Sequence, residues 1–280
     1  MTTMQLAPEA SAADLARECV YRFLSVALSD PWAEAWGLLY DPKNQRLARE
    51  AADLLRAEAE RSRLAERGGA SASPCEATPL QLGFGELPPD KLDFARLLAE
   101  LPPTQDALRD EYDHVFGLVL SRECPPYETE YLPNEETFFR SQQLADISGF
   151  YRAFGVGPSH SRPERPDHLA LELEFMAFVL TKKRLAFGPE GDGAEAVEQA
   201  AVCDDAQAKF FRDHLAWWLP SFAAALRRKA GSGFYAAVAE VLAALLPLER
   251  ARFGVLPPRL PLQPALIERP EEQSGCAGCT

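Results

Sequence analysis

Pro166-Asp167-His168-Leu169-Ala170-Leu171-Glu172-Leu173-Glu174-Phe175-Met176 opens the helix on which the fold of this chain turns. Leu169, Leu173, Met176 and Leu180 recur at spacings of three and four and form one stripe, while Leu171, Phe175 and Phe178 fill the flank. A helix that is apolar nearly all round has no face to offer water, so this one belongs at the centre of a bundle. Its head is polar. Glu172 follows His168 by one turn, and a carboxylate beside the imidazole is expected to raise the His168 pKa and fix the ring. A plain polar cap on a buried helix start explains the same residues. A helical zinc site needs paired histidines at that spacing, and the chain holds four histidines in all.

Outward from this centre the pattern stays helical, and no segment alternates apolar and polar residues as a strand does. Ser11 and Asp14 resemble a capping pair for a helix carrying Leu15, Cys19, Phe23 and Val26 that ends near Asp30-Pro31. Further helices are expected over about 45–67, 90–99 and 104–118. Another starts at an Asn134 cap and ends at Phe154-Gly155. Residues 195–228 form one or two helices kinked or split by Pro220, and the last runs from about Phe234 to Leu246. The expectation is an all-α, single-domain helical bundle of about nine to twelve helices without significant β-sheet. The domain covers 1–254, with a Gly- and Pro-rich loop insertion at 68–89. An extended, Pro-rich and acidic tail, 255–280, is expected to be poorly ordered.

A second stretch, Cys124-Pro125-Pro126-Tyr127-Glu128-Thr129-Glu130-Tyr131, follows a helix on which Tyr112, Val115 and Phe116 share a face. Two consecutive prolines fix the backbone and remove two N–H donors. Such a corner can hold Tyr127 and Tyr131 in place before anything binds, which suits an aromatic grip on a peptide. A rigid connection whose tyrosines complete the core is the structural alternative.

Composition narrows the function. A net charge of -13 argues against non-specific nucleic-acid binding and favours a basic partner. The N-terminus shows no secretory signal, and no uncharged apolar run approaches the roughly 20 residues that span a bilayer, so a cytoplasmic protein without stable membrane insertion is expected. Six scattered cysteines make no disulfide framework, and Cys276-Ala277-Gly278-Cys279 is half a zinc ribbon at best. Nucleophile-elbow, P-loop and dinucleotide-binding motifs are all lacking.

Four motifs in order carry a resemblance. Arg109 to Tyr131, with its Tyr-bearing helix and Pro-Pro-Tyr-Glu turn, resembles the TorD/DmsD/NarJ family of molybdoenzyme maturation chaperones. So does Pro166 to Met176, where Asp-His opens the helix. Phe211-Arg212-Asp213-His214-Leu215 with Trp218 and Phe222, and then Phe234-Tyr235-Ala236, are similar to the C-terminal half of that pattern. The similarity spans roughly 11–250; the 68–89 loop and the tail look like additions to it. Membership implies an all-helical cytoplasmic chaperone with no enzymatic activity and no assigned cofactor. Its partner is the catalytic (molybdopterin) subunit of an oxidoreductase, often bound through an N-terminal twin-arginine leader. The implied binding surface comprises Tyr21, Tyr112, Phe116, Pro125, Pro126, Tyr127, Glu128, Pro166, Asp167 and His168. Glu128 and Asp167 are expected to meet leader arginines and the aromatics its apolar run. The Pro-Pro corner and the Asp-His head are accordingly expected side by side, walling one acidic and apolar groove. Monomer and domain-swapped dimer both stay open. Two other readings compete: a metal- or redox-active helical enzyme using His168, Glu172 and the terminal thiols, and a helical docking module that needs no leader.

Overall fold

The computed structural model describes residues 8–30, 34–68, 81–117, 121–133, 137–159, 163–187 and 193–264. Among them are nine α-helices and no strand: α1 (Pro8–Leu28), α2 (Pro42–Gly68), α3 (Phe94–Ala99), α4 (Gln105–Phe116), α5 (Thr137–Ala153), α6 (Leu169–Ala186), α7 (Gly193–Phe210), α8 (Leu219–Ala230) and α9 (Phe234–Phe253). No helix among these residues is long and apolar enough to cross a membrane.

The centre lies where the sequence puts it. Leu169, Leu173, Met176 and Leu180 of α6 are all sealed from water. α6 is flanked by α1 on one side and α7 on another; α2 covers α1, and α8 pairs with α9. The apolar side chains of these helices join one continuous core. α1 is tied to α9 by a buried polar lock. Arg17 Nε and Nη2 donate to the two Glu249 oxygens at 2.7 and 2.6 Å, and the Tyr21 hydroxyl donates to Glu249 Oε2 at 2.8 Å. α1 itself begins at Pro8, ahead of the expected Ser11 cap. Asp14 instead pairs with Lys183 of α6 at 2.7 Å.

The two inner prolines of the last helices behave differently. Pro220 splits the segment, as expected. It stands in the first turn of α8, where no intrahelical donor is required, and α7 passes into α8 through a π-helical turn, Phe211–Leu215. Pro247, by contrast, does not end the last helix at Leu246; α9 continues to Phe253. A proline at 247 leaves the carbonyl one turn back, on Ala243, without its helical donor. The Leu87 amide supplies that donor at 2.9 Å.

Leu87 belongs to the expected loop insertion, whose described part is docked on the bundle. Residues 81–88 are fastened to α9 and to the chain beyond it. Arg250 is paired with buried Glu86 and also donates to the carbonyls of Gln81 (2.7 Å) and Val255 (3.2 Å). The Phe84 amide donates to Pro258 O at 3.2 Å, and the Leu262 amide to Ser221 Oγ at 2.9 Å. Gly85 passes so close to α8 that a Cβ there would lie 2.1 Å from the Pro220 carbonyl oxygen. The tail is therefore held as far as these contacts reach. Residues 69–80 and 265–280, with Cys75, Cys276 and Cys279, lie outside the described residues, as does the expected Asn134 cap.

Candidate functional site

The Pro-Pro corner and the head of α6 are sewn together through their backbones. Tyr127 and His168 form an isolated antiparallel bridge. The Glu128 amide donates to Asp167 O at 3.0 Å, and the Leu169 amide to Pro126 O at 2.8 Å. The first amides of a helix lack intrahelical acceptors, and here the neighbouring corner provides one of them. His168 provides the next: it is the N-cap, and its Nδ1 accepts from the Ala170 amide at 3.1 Å. Upstream, Cys124 anchors the corner to the end of α4, its amide donating to Ser121 Oγ at 3.2 Å and its thiol to Val115 O at 3.8 Å.

This cap overturns one expectation. His168 is turned back onto its own helix start and does not pair with Glu172. Burial lowers its pKa, against the raising influence of Glu164 and Asp167. Glu172 is sealed from solvent and neither of its oxygens has a hydrogen-bond partner. Burial first, and then the charges of Glu128 and Asp167, push its carboxyl well above the usual range, so it holds its proton far into the range where an exposed glutamate has lost it. Among the described residues no group of three or more His, Cys, Asp and Glu side chains is placed to hold a metal ion.

Glu128 sits beneath the corner, fully buried, in a nest of donors. Gln143 Nε2 and Trp217 Nε1 both donate to Oε1 at 2.8 Å, and His214 Nδ1 lies 3.2 Å from Oε2. The π-helical turn, marked by the Ala216 amide bonding Phe211 O at 2.8 Å, is what swings His214 and Trp217 toward this carboxylate. Burial still leaves the Glu128 pKa raised, with His214 as the leading opposing influence.

Asp167 is also fully buried, with Thr129 and Arg165 as its partners. The Thr129 amide and hydroxyl donate to Oδ2 at 3.1 and 2.8 Å. Arg165 Nε donates to Oδ1 at 3.0 Å and Nη2 to Oδ2 at 2.8 Å. The same guanidinium reaches Glu130 at 3.1 Å and lies 4.3 Å from the centroid of the Tyr127 ring. The Tyr127 hydroxyl donates to Glu164 Oε1 at 3.2 Å, and its ring meets that of His168 edge-on at 4.9 Å.

Beside this corner opens an apolar cleft of about 180 Å³, lined by Tyr151, Val156, Pro158, Leu171, Phe175 and Phe178, with exposed Glu174 at its rim. The Tyr151 hydroxyl donates to Pro166 O at 2.9 Å, so one wall of the cleft is fixed to the turn that carries Asp167.

The expected site residues therefore divide. Pro125, Pro126, Tyr127, Glu128, Pro166, Asp167 and His168 come together, but only Tyr127 and Pro166 of these keep partial exposure. Glu128 and Asp167 do not face solvent, because internal donors already surround both carboxylates. Tyr112 is half-buried, meets the Phe116 ring in a tilted contact at 4.7 Å and feels the Tyr127 phenol electrostatically; Phe116 is buried. Tyr21 is a core residue, its hydroxyl taken up by Glu249. Arg165, Thr129, Gln143 and Trp217 are not among the site residues expected from the sequence. Arg165 had a visible signal, a lone cation between two acids in Glu164-Arg165-Pro166-Asp167.

Comparison with known proteins finds matches over the same part of the chain. The family described as "Nitrate reductase delta subunit" matches residues 87–224, a span that includes both sewn turns and the π-helical turn. The chain is 33% identical over 127 residues to the selenate reductase assembly chaperone protein of Thauera selenatis, covering 45% of this chain and 61% of that one. It is 34% identical over 114 residues to the chlorate reductase assembly chaperone protein of Ideonella dechloratans, covering 41% and 54%. With the chaperone protein TorD of Photobacterium profundum it shares 27% identity over 161 residues, 56% of this chain and 70% of the relative. The chain thus spans somewhat more than half the length of the first two relatives. Four motifs in order, an all-helical bundle that joins two of them in one corner, and these matches lead to one conclusion: over the matched span the chain is similar to the TorD/DmsD/NarJ family of maturation chaperones.

Proposed function

We propose that this protein is a cytoplasmic chaperone for the assembly of a molybdenum-containing oxidoreductase. It binds the enzyme's catalytic subunit through an N-terminal twin-arginine leader, shields the subunit during cofactor insertion and delays its export. It binds and does not catalyse. The observation that carries the reading is the sewn corner itself: two non-helical turns, fixed by backbone hydrogen bonds, hold Tyr127 and Arg165 together, and Tyr151 ties the second turn to an apolar cleft through Pro166 O. A preformed surface of that kind lowers the ordering entropy lost on binding an extended peptide. The cleft suits the leader's apolar run, and the acidic turn beside it suits the leader's arginines. Tyr112, Tyr127 and Pro166 touch the peptide in this reading. Phe116, Pro125, Pro126, Glu128, Asp167 and His168 shape the surface from beneath, and Tyr21 holds the helices behind it. The relatives named as assembly chaperones of selenate and chlorate reductases support the client class.

Titration calorimetry with a synthetic twin-arginine leader tests the proposal. Binding is expected to weaken as salt rises and to fall about tenfold in Tyr127→Ala, the loss typical of one aromatic anchor. Absence of heat with every candidate leader and with the apo-subunit would sink it.

A further inference from the structure

Arg165 makes more of its contacts than a surface ion pair needs. Its guanidinium meets both oxygens of Asp167 at 3.0 and 2.8 Å, Thr129 Oγ1 at 2.7 Å and Glu130 Oε1 at 3.1 Å, with the Tyr127 ring against its face at 4.3 Å. Fork-shaped pairing with a carboxylate plus stacking on an aromatic face is recognition specific to a guanidinium; an ammonium can satisfy neither part in the same way.

The two halves of this arrangement are built differently. The receiving half stands without Arg165. Asp167 Oδ2 also accepts from the Thr129 amide and hydroxyl, and Asp167 O accepts from the Glu128 amide. Glu130 has a second cation, Arg140, at 3.6 Å, and the Tyr127 ring is steadied through its hydroxyl by Glu164. The Asp167 and Glu130 side chains are 0% and 4% exposed, whereas that of Arg165 is 39% exposed. Arg165 also stands ahead of the helix, on the turn, where a side chain can swing out without disturbing a helical hydrogen bond.

We infer that Tyr127, Thr129, Glu130 and Asp167 form a guanidinium-binding site that Arg165 fills from within, and that an arginine of the partner segment binds by taking its place. The inference rests on the reading of this corner as the partner-binding surface. Exchanging one guanidinium for another leaves the buried carboxylates paired before and after, so the site can be satisfied in the unbound protein and still receive a partner. The internal competitor also sets selectivity. It lowers the apparent affinity for any incoming cation by the fraction of time the site stands open, so only a segment with additional contacts, such as an apolar run in the cleft, prevails.

Chemical rescue tests this in the full chain. Arg165→Ala and Arg165→Gln are compared with the wild type by thermal unfolding in methylguanidinium chloride, with methylammonium chloride and sodium chloride at equal ionic strength as controls. The expected result is a saturable rise in the unfolding midpoint of both variants with methylguanidinium alone, and none in the wild type. A variant that folds only when methylguanidinium is present gives the same answer. A peptide with an Arg-Arg pair and an apolar run is expected to bind the variants about tenfold more tightly than the wild type. Equal responses to all three salts, or weaker peptide binding once Arg165 is gone, would overturn the inference. Should neither variant fold under any condition, Arg165→Lys decides: tighter peptide binding supports the exchange, and equal or weaker binding refutes it. Rescue by methylguanidinium with no peptide binding in any form would leave the site standing and defeat the leader-binding reading. Peptide binding by the wild type without rescue would defeat the exchange alone.

Discussion

Arg17 and Arg165 meet the same chemistry in two regions of the molecule, and the regions put it to different ends. Each guanidinium grips both oxygens of one carboxylate, Glu249 in the first case and Asp167 in the second, with a tyrosine close by. Arg17 is 2% exposed and Arg165 39%. The difference lies in what carries the donor. Arg17 and Glu249 stand on α1 and α9, so the pair opens only if two packed helices part. Arg165 stands on a turn, so its pair opens by rotation of one side chain. The supporting element, more than the pair's own chemistry, decides whether it is a lock or an exchangeable contact.

The largest expected effect follows from that contrast. Arg17→Ala leaves the buried Glu249 carboxylate without its cation, with the Tyr21 hydroxyl as its remaining donor, and is expected to cost about 3–5 kcal/mol, as removal of one partner of a buried ion pair does. Arg165→Ala admits water to Asp167 and leaves the Thr129 donors in place, so its cost is about 1 kcal/mol or less. Urea unfolding of the two variants measures both. Equal losses would erase the distinction between lock and exchangeable contact.

How much of this was legible in the sequence depends on the range of the interaction. The centre of the bundle was readable from α6 alone, because an all-round apolar helix has one place to go. The adjacency of Tyr127 and Asp167 was readable through the family resemblance, and the backbone bonds between the two turns bear it out. The continuation of α9 past Pro247 was not readable. The missing donor comes from Leu87, which no local pattern links to Ala243. The His168–Glu172 pairing failed for a geometric reason. The one-turn rule applies to two residues inside a helix, whereas His168 is the cap, and its ring bends back to the Ala170 amide. Arg165 escaped notice because an arginine in a polar loop reads as solvated.

Glu172 sharpens the comparison by showing a buried carboxyl with no guanidinium at all. The charged and titratable groups that bear on it are Glu128 from the corner, Asp167 from the turn and Tyr151 from α5. The native state holds the Glu172 proton, while the unfolded chain releases it once pH passes the ordinary glutamate value of about 4.3. Its influence is therefore harmless below that pH. It becomes destabilising as pH rises, by up to about 1.4 kcal/mol per pH unit, until the raised native pKa is reached. Glu172→Gln keeps the shape and removes the titration. It is expected to raise stability near neutral pH by about 1–3 kcal/mol, with the gain shrinking as pH falls toward 4. Denaturant unfolding of both proteins across that pH range is the measurement. A pH-independent loss of stability in Glu172→Gln would instead mean that Glu172 is ionised in the native state and paired with a cation, as Glu249 is with Arg17.

The smallest effects separate the two tyrosines. The Tyr21 hydroxyl donates to Glu249 in the interior, and Tyr21→Phe removes that bond while Arg17 still covers the carboxylate, for a loss of about 1 kcal/mol. The Tyr127 hydroxyl donates to Glu164 at a half-exposed edge, and Tyr127→Phe is expected to change stability by less than about 0.5 kcal/mol. Function should reverse that order. Tyr21→Phe is expected to leave leader affinity unchanged, since its ring lies in the core. Tyr127→Phe keeps the aromatic face but frees the ring from Glu164, which weakens binding by a small factor. Calorimetric unfolding and peptide titration on the same two variants give four values. The assignment of one tyrosine to the scaffold and the other to the surface stands only if the stability loss falls on Tyr21→Phe and the affinity loss on Tyr127→Phe.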